Sequence, residues 1–164
     1  MKLNSRRTIL TGLAFLSICA FWQMYDSVIP LILTKTFHMN ETFSGAIMAA
    51  DNVLALFLLP FFGARSDKTN TKIGKRMPYI LFGTGCAVIL MNLLPLMDNS
   101  YAAAPSGFKT ASFVIVLGLL LIAMGTYRSA AVALMPDLTP KPLRSRANAI
   151  INLMGAVGGI LYLA

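Results

Sequence analysis

The sequence predicts an all-α integral membrane protein with five transmembrane helices. Five continuous apolar runs, at 9–33, 43–62, 79–96, 112–134 and 149–164, come close to or exceed the length needed, about 20 residues for a helix crossing hydrocarbon. Twelve of the fourteen basic residues cluster in three short segments, with only Lys35 and Lys109 in the alternate gaps. That asymmetry is the positive-inside pattern of a chain threaded back and forth through a bilayer. The runs are unbroken rather than alternating with period two, so a β-barrel does not fit.

The basic segments hold Lys2, Arg6 and Arg7; Arg65, Lys68, Lys72, Lys75 and Arg76; and Arg128, Lys141, Arg144 and Arg146. All three fall on one predicted side, which puts the N-terminus in the cytoplasm of a multi-pass cell-membrane protein. A net charge of +8 would suggest nucleic acid in a soluble protein. Here the apolar fraction is 57% and the mean hydropathy +0.71. The anionic lipids of a bilayer therefore account for the charge without a nucleic-acid partner.

The first run is too long for a signal peptide, lacks a small-x-small cleavage site and is followed by four more spans. The connection 34–42 contains Asn40-Glu41-Thr42, readable as a glycosylation sequon or as an N-cap with Glu41 in the first turn of span 2. The connection 97–110, with Asp98, Asn99, Ser100, Pro105, Ser106 and Gly107, reads as a solvated spacer. Gly118 with Gly125, and Gly155 with Gly159, put small residues on one helical face, where neighbouring helices can approach closely. Cys19 and Cys86 lie inside apolar runs without metal-type spacing, and no zinc motif, phosphate loop or nucleophile–base arrangement occurs. No metal, cofactor or enzymatic activity is expected. The last run meets no flanking charge or aromatic anchor before Ala164. It reads as a short fifth span, or, as we expect, as the front part of a longer protein.

Ionisable groups within apolar runs are costly and therefore candidate functional groups. Asp26 lies about 10 Å below the outer end of span 1, and Asp51 at a similar depth in span 2, at 1.5 Å per helical residue. Two carboxyl groups at one level on successive helices suit a shared proton or cation, or one of them lines a water-filled entrance. Arg128 either snorkels to the cytoplasm or turns its planar fork to a central cavity, where it can bind hydroxyls or pair with an aspartate. Trp22, Gln23 and Tyr25 precede Asp26 and suit either a sugar site or an interfacial aromatic belt. Asp137 reads as a helix cap or as a partner of Arg144 or Arg146.

The predicted inner loop at 63–79, Gly63-Ala-Arg-Ser-Asp67-Lys68-Thr-Asn-Thr-Lys-Ile-Gly74-Lys75-Arg76-Met-Pro78-Tyr79, carries the most specific pattern. Gly63 lets another helix pass the end of span 2. Asp67 can face a helix N-terminus or a nearby arginine. Lys75 and Arg76 are expected to hold the loop at the membrane surface, and Pro78 suits the first turn of span 3. An ordinary basic loop would explain the cations but not the Gly63, Asp67 and Gly74 skeleton.

This segment resembles the G-x-x-x-D-R-x-G-R-R loop motif of the major facilitator superfamily. Gly63 and Asp67 match, Lys68 stands for the arginine, and Gly74-Lys75-Arg76 follow after four extra residues. The longer spacing resembles the sucrose/proton and glycoside–pentoside–hexuronide symporter branches. A second stretch resembles the same branch: Arg128, Leu134, Asp137, Thr139-Pro140, Arg144 and Ala147-Asn148 fit R-x-x-x-x-x-L-x-x-D-x-T-P followed by R-x-x-A-N.

The resemblance implies the N-terminal helix bundle of a twelve-helix transporter that carries a sugar by alternating access. It implies a gating role for the loop and for Asp137 and Arg144, and favours Arg128 in the central cavity. Ala55 and Leu59 stand where sodium-coupled members carry two aspartates before the proline of the second helix, here Pro60. Proton coupling is therefore expected over sodium coupling. Five helices cannot form two rocking bundles, so transport is expected to need further helices or a partner chain.

Overall fold

The computed structural model describes residues 5–163, the side chains of residues 5–7, 51 and 135 excepted. It consists of five long helices: α1 (Ser5–Leu31), α2 (Glu41–Lys68), α3 (Met77–Ala103), α4 (Gly107–Leu138) and α5 (Arg144–Leu163). All five are long and apolar enough to cross a membrane. No strand occurs among the described residues. Large apolar side chains are exposed on every helix, for example Leu13, Phe57, Phe82, Ile115 and Leu153. Lipid-facing helices have such a surface, because acyl chains solvate it and each helix satisfies its own backbone.

The helices run past the apolar runs that predict them. Hydrocarbon thickness limits the apolar stretch, whereas backbone hydrogen bonding continues into the polar flanks. Asp98, Asn99 and Ser100 consequently lie on α3, which shortens the expected 97–110 connection to residues 104–106. Asn40 caps α2, its side chain accepting from the Thr42 N–H at 3.2 Å, with Glu41 in the first turn. Pro78 occupies the first turn of α3.

Prolines 30, 60, 95 and 136 sit inside α1 to α4. Each lacks an N–H and so cannot donate to the carbonyl four residues back. After Pro30 the chain widens into a π-turn over Ile32–Thr36, and the Thr34 hydroxyl donates to the Pro30 carbonyl at 2.8 Å. His38, at φ 52°, ends this turn, with the Met39 N–H returning to the Leu33 carbonyl at 3.0 Å. A left-handed residue commonly ends a helix in this way.

The chain divides into two compact units, Val28–Ala130 and the remainder. In the first, Ile29, Leu33, Leu94, Phe113, Leu117, Leu120 and Met124 form the buried core. At one end of it, Phe37 stacks on Tyr101 with ring centroids 4.2 Å apart, and lies 4.6 Å from Phe113. The buried stripe of α3 is Gly83, Ala87, Met91 and Leu94, spaced to one helical face. Gly83 lies against Tyr127 and Ala123 of α4.

In the second unit, α5 buries Ala147, Ile151, Gly155 and Gly158 with the same spacing. Gly155 abuts the Cys19 side chain, and Gly158 lies against the Leu16 backbone carbonyl. A Cβ at 158 would meet backbone that cannot yield. The small-residue contacts thus differ from those expected. Gly158, not Gly159, makes the close approach, and Gly118 faces open space while Gly125 touches Leu58.

Candidate functional site

The loop motif folds around one buried arginine. Gly63, Ser66, Asp67 and Lys68 belong to the last turns of α2, while Gly74, Lys75 and Arg76 lead into α3. Arg76 Nη2 donates to Asp67 Oδ1 at 2.6 Å, and Nη1 donates to Ser66 Oγ at 3.0 Å. Ser66 Oγ in turn donates to the Gly63 carbonyl at 2.8 Å. A planar guanidinium can hold two such acceptors at once, which a lysine ammonium does less well. Of the two settings open to Asp67, the structure selects the nearby arginine.

Arg76 is 6% exposed and turned back onto α2, where the sequence suggests a surface anchor. Lys68 and Lys75 are exposed. Gly74 supplies the turn that makes this return possible. Its φ is 107°, a conformation L side chains rarely adopt. Its N–H donates to the Thr71 carbonyl at 3.0 Å, and its own carbonyl accepts from the Thr71 hydroxyl at 2.6 Å.

A second clamp joins the same two helices. Thr69 Oγ1 donates to the Arg65 carbonyl at 3.0 Å and lies 2.8 Å from the Tyr79 hydroxyl. A threonine hydroxyl has one proton, so Tyr79 is the donor to Thr69 in this arrangement. Ser66, Thr69 and Tyr79 are absent from the sequence-derived site. The available signal was a hydroxyl three residues after Gly63, since serine inside a helix commonly bonds back to a preceding carbonyl. Ser129 is a further omission. Its hydroxyl donates across helices to the Leu59 carbonyl at 2.7 Å, and it sits 3.4 Å from where a Gly63 Cβ would be.

The candidates within the membrane spans lie on α1, α2 and α4. On α1, Tyr25 is fully buried, Asp26 is exposed and Gln23 is half-buried. Trp22 and Tyr25 rings lie 6.1 Å apart. The Gln23 side chain lies 3.9 Å from a Cβ built on Gly159 of α5. Pro30, four residues after Asp26, has no N–H to donate to the Asp26 carbonyl. Asp51 lies on α2, but its side chain falls outside the described residues. The expected level pairing with Asp26 therefore stays a sequence expectation.

Arg128 is half-buried on α4, between the buried Tyr127 and Ser129. Asp137 is exposed at the end of α4. Arg144, the first residue of α5, donates from Nη2 to the Pro136 carbonyl at 2.9 Å and from Nε to the Thr139 carbonyl at 3.3 Å. A cation suits those terminal carbonyls, which carry the negative end of the α4 dipole.

A family model described as Major Facilitator Superfamily matches residues 11–164. Sucrose transport protein SUC3 of Arabidopsis thaliana is 33% identical over 139 residues, covering 77% of this chain and 23% of that protein. Sucrose transport protein SUT3 of Oryza sativa subsp. japonica is 28% identical over 170 residues, covering 93% of this chain and 33% of that protein. The putative transporter YdfJ of Escherichia coli (strain K12) is 34% identical over 95 residues, covering 55% of this chain and 21% of that protein. The chain thus spans a third or less of the length of each of these three relatives. No solved structure matches it. With five membrane-length helices and a family match running from the first of them to the end of the chain, this multi-pass membrane protein belongs to the Major Facilitator Superfamily.

Proposed function

We propose that this chain is the N-terminal helix bundle of a proton-coupled sugar symporter. The observation that carries the reading is the similarity of 93% of the chain to a sucrose transport protein. The loop motif and the Arg128–Asn148 stretch support the same branch. In this reading the N-terminus lies in the cytoplasm of the cell membrane, and the basic loop is the inner gate. A disaccharide or glycoside binds near the midplane, where Arg128, Gln23 and Tyr25 supply hydrogen bonds and an aromatic face. Asp26 and Asp51 carry the coupling proton.

The Arg76–Asp67 pair keeps the loop compact while the helices move, and Asp137 and Arg144 join the gate at the α4–α5 turn. Reorientation by alternating access uses a second helix bundle, from further helices or a partner chain.

The test is uptake of labelled sucrose, maltose and melibiose into proteoliposomes, under a proton gradient and separately under a sodium gradient. Proton-driven uptake is expected. Uptake driven by sodium alone would overturn the coupling assignment. Absence of uptake under both gradients, from protein verified as folded together with the further helices, would overturn sugar symport itself.

A further inference from the structure

A groove of about 480 Å³ at the basic end of α2 is lined by Phe61, Ala64, Arg65, Lys68, Thr69 and Tyr79. We propose that it holds the headgroup phosphate of an anionic phospholipid, with an acyl chain along Phe57 and Phe61. Arg65 and Lys68 are three apart on a helix, which makes them neighbours on one face, about 5–6 Å between Cβ atoms. Both are exposed. Among the described residues, no hydrogen bond or ion pair engages either charged head.

The carboxylate beside them is already taken. Asp67, the one acid in 63–79, is held by Arg76 at 2.6 Å. The hydroxyls of Thr69 and Tyr79 are spent on each other and on the Arg65 carbonyl, so they form a wall and leave recognition to the two cations. A guanidinium fork beside an ammonium is a common phosphate-binding pair.

An apolar strip of α2 runs up to the groove and favours a ligand with an acyl chain. Phe57, Phe61, Ala64, Arg65 and Lys68 are spaced four, three, one and three apart, which keeps them on one side of α2. Phe57 is 66% and Phe61 60% exposed. Seven residues of helix separate Phe61 from Lys68, about 10 Å along the axis. An apolar strip ending in two unneutralised cations at a span terminus matches an amphiphile with an anionic head.

Native mass spectrometry of the purified full chain in non-ionic detergent tests the assignment, using added phosphatidylglycerol or phosphatidylcholine. The wild type is compared with the R65Q/K68Q, K72Q/K141Q and F57A/F61A variants, each checked for helicity by circular dichroism. Retention of phosphatidylglycerol is expected to fall on the order of tenfold in R65Q/K68Q, and measurably in F57A/F61A. It should match the wild type in K72Q/K141Q, which removes two exposed cations outside the groove. Equal loss in the two charge variants would mean diffuse attraction to the basic surface and overturn the site. Equal retention of phosphatidylcholine would do the same. Displacement by glycerol 3-phosphate at matched phosphate concentration would assign the groove to a soluble phosphate ester and overturn the lipid.

Discussion

Arg76 reaches Asp67 at 2.6 Å, yet the two side chains sit in opposite surroundings, 7% and 61% exposed respectively. An exposed ion pair contributes little, whereas a buried cation that loses its partner is expensive. Because Arg76 also bonds Ser66, its removal breaks both of its own bonds to the end of α2. We expect R76A and D67N each to destabilise the chain by about 1–3 kcal/mol, with the double variant no worse than R76A alone. Reversible unfolding in mixed micelles, arranged as a double-mutant cycle, checks this; additive losses would show that the two residues act separately.

The Thr69–Tyr79 contact allows a graded test. Tyr79→Phe removes one hydroxyl and leaves Thr69 bonded to the Arg65 carbonyl, so a loss of about 0.5–1.5 kcal/mol is expected. Thr69→Ala removes both bonds and should cost more. The same unfolding measurement ranks the two, and the reverse order would refute the donor assignment.

Close packing of α1 on α5 turns on Gly158. G158A places a methyl group against the Leu16 carbonyl, and overpacking of this kind costs about 1–3 kcal/mol. G118A, with nothing within 4 Å of the new methyl, should be neutral. G159A, whose nearest neighbour is the Gln23 amide oxygen at 3.9 Å, should be tolerated. Thermal stability in detergent separates the three; equal effects would remove the close-approach argument.

Under the proposed transport function, Asp26→Asn and Asp51→Asn test coupling rather than binding. An amide keeps the size and hydrogen bonding of the side chain but cannot exchange a proton. Gradient-driven uptake should be lost, while sugar exchange at equal concentrations persists. Loss of both activities would reassign the residue to sugar binding or to folding.

Ser129→Ala removes one interhelical bond, to the Leu59 carbonyl. Such bonds within membranes are worth about 0.6 kcal/mol on average, so only a small loss of stability is expected in mixed micelles. A large loss would indicate that Gly63 and Ser129 form a more critical crossing than their 3.4 Å spacing implies.

The sequence by itself determined the fold class, because membrane solvation acts on local composition. A run such as 112–134 must be helical in hydrocarbon whatever it packs against. Local chemistry also foretold the Asn40 cap, Pro78 in the first turn of α3, and Asp67 facing either a helix terminus or an arginine. Only the tertiary structure decided which arginine, since Arg65 and Arg76 both lie within ten residues of Asp67 in the sequence. It decided the burial of Arg76 because the Gly74 turn folds the chain back onto Ser66. It also decided that Gly158 rather than Gly159 makes the close approach. Adjacent residues on a helix point about 100° apart, and only a packed neighbour selects the direction that must be bare.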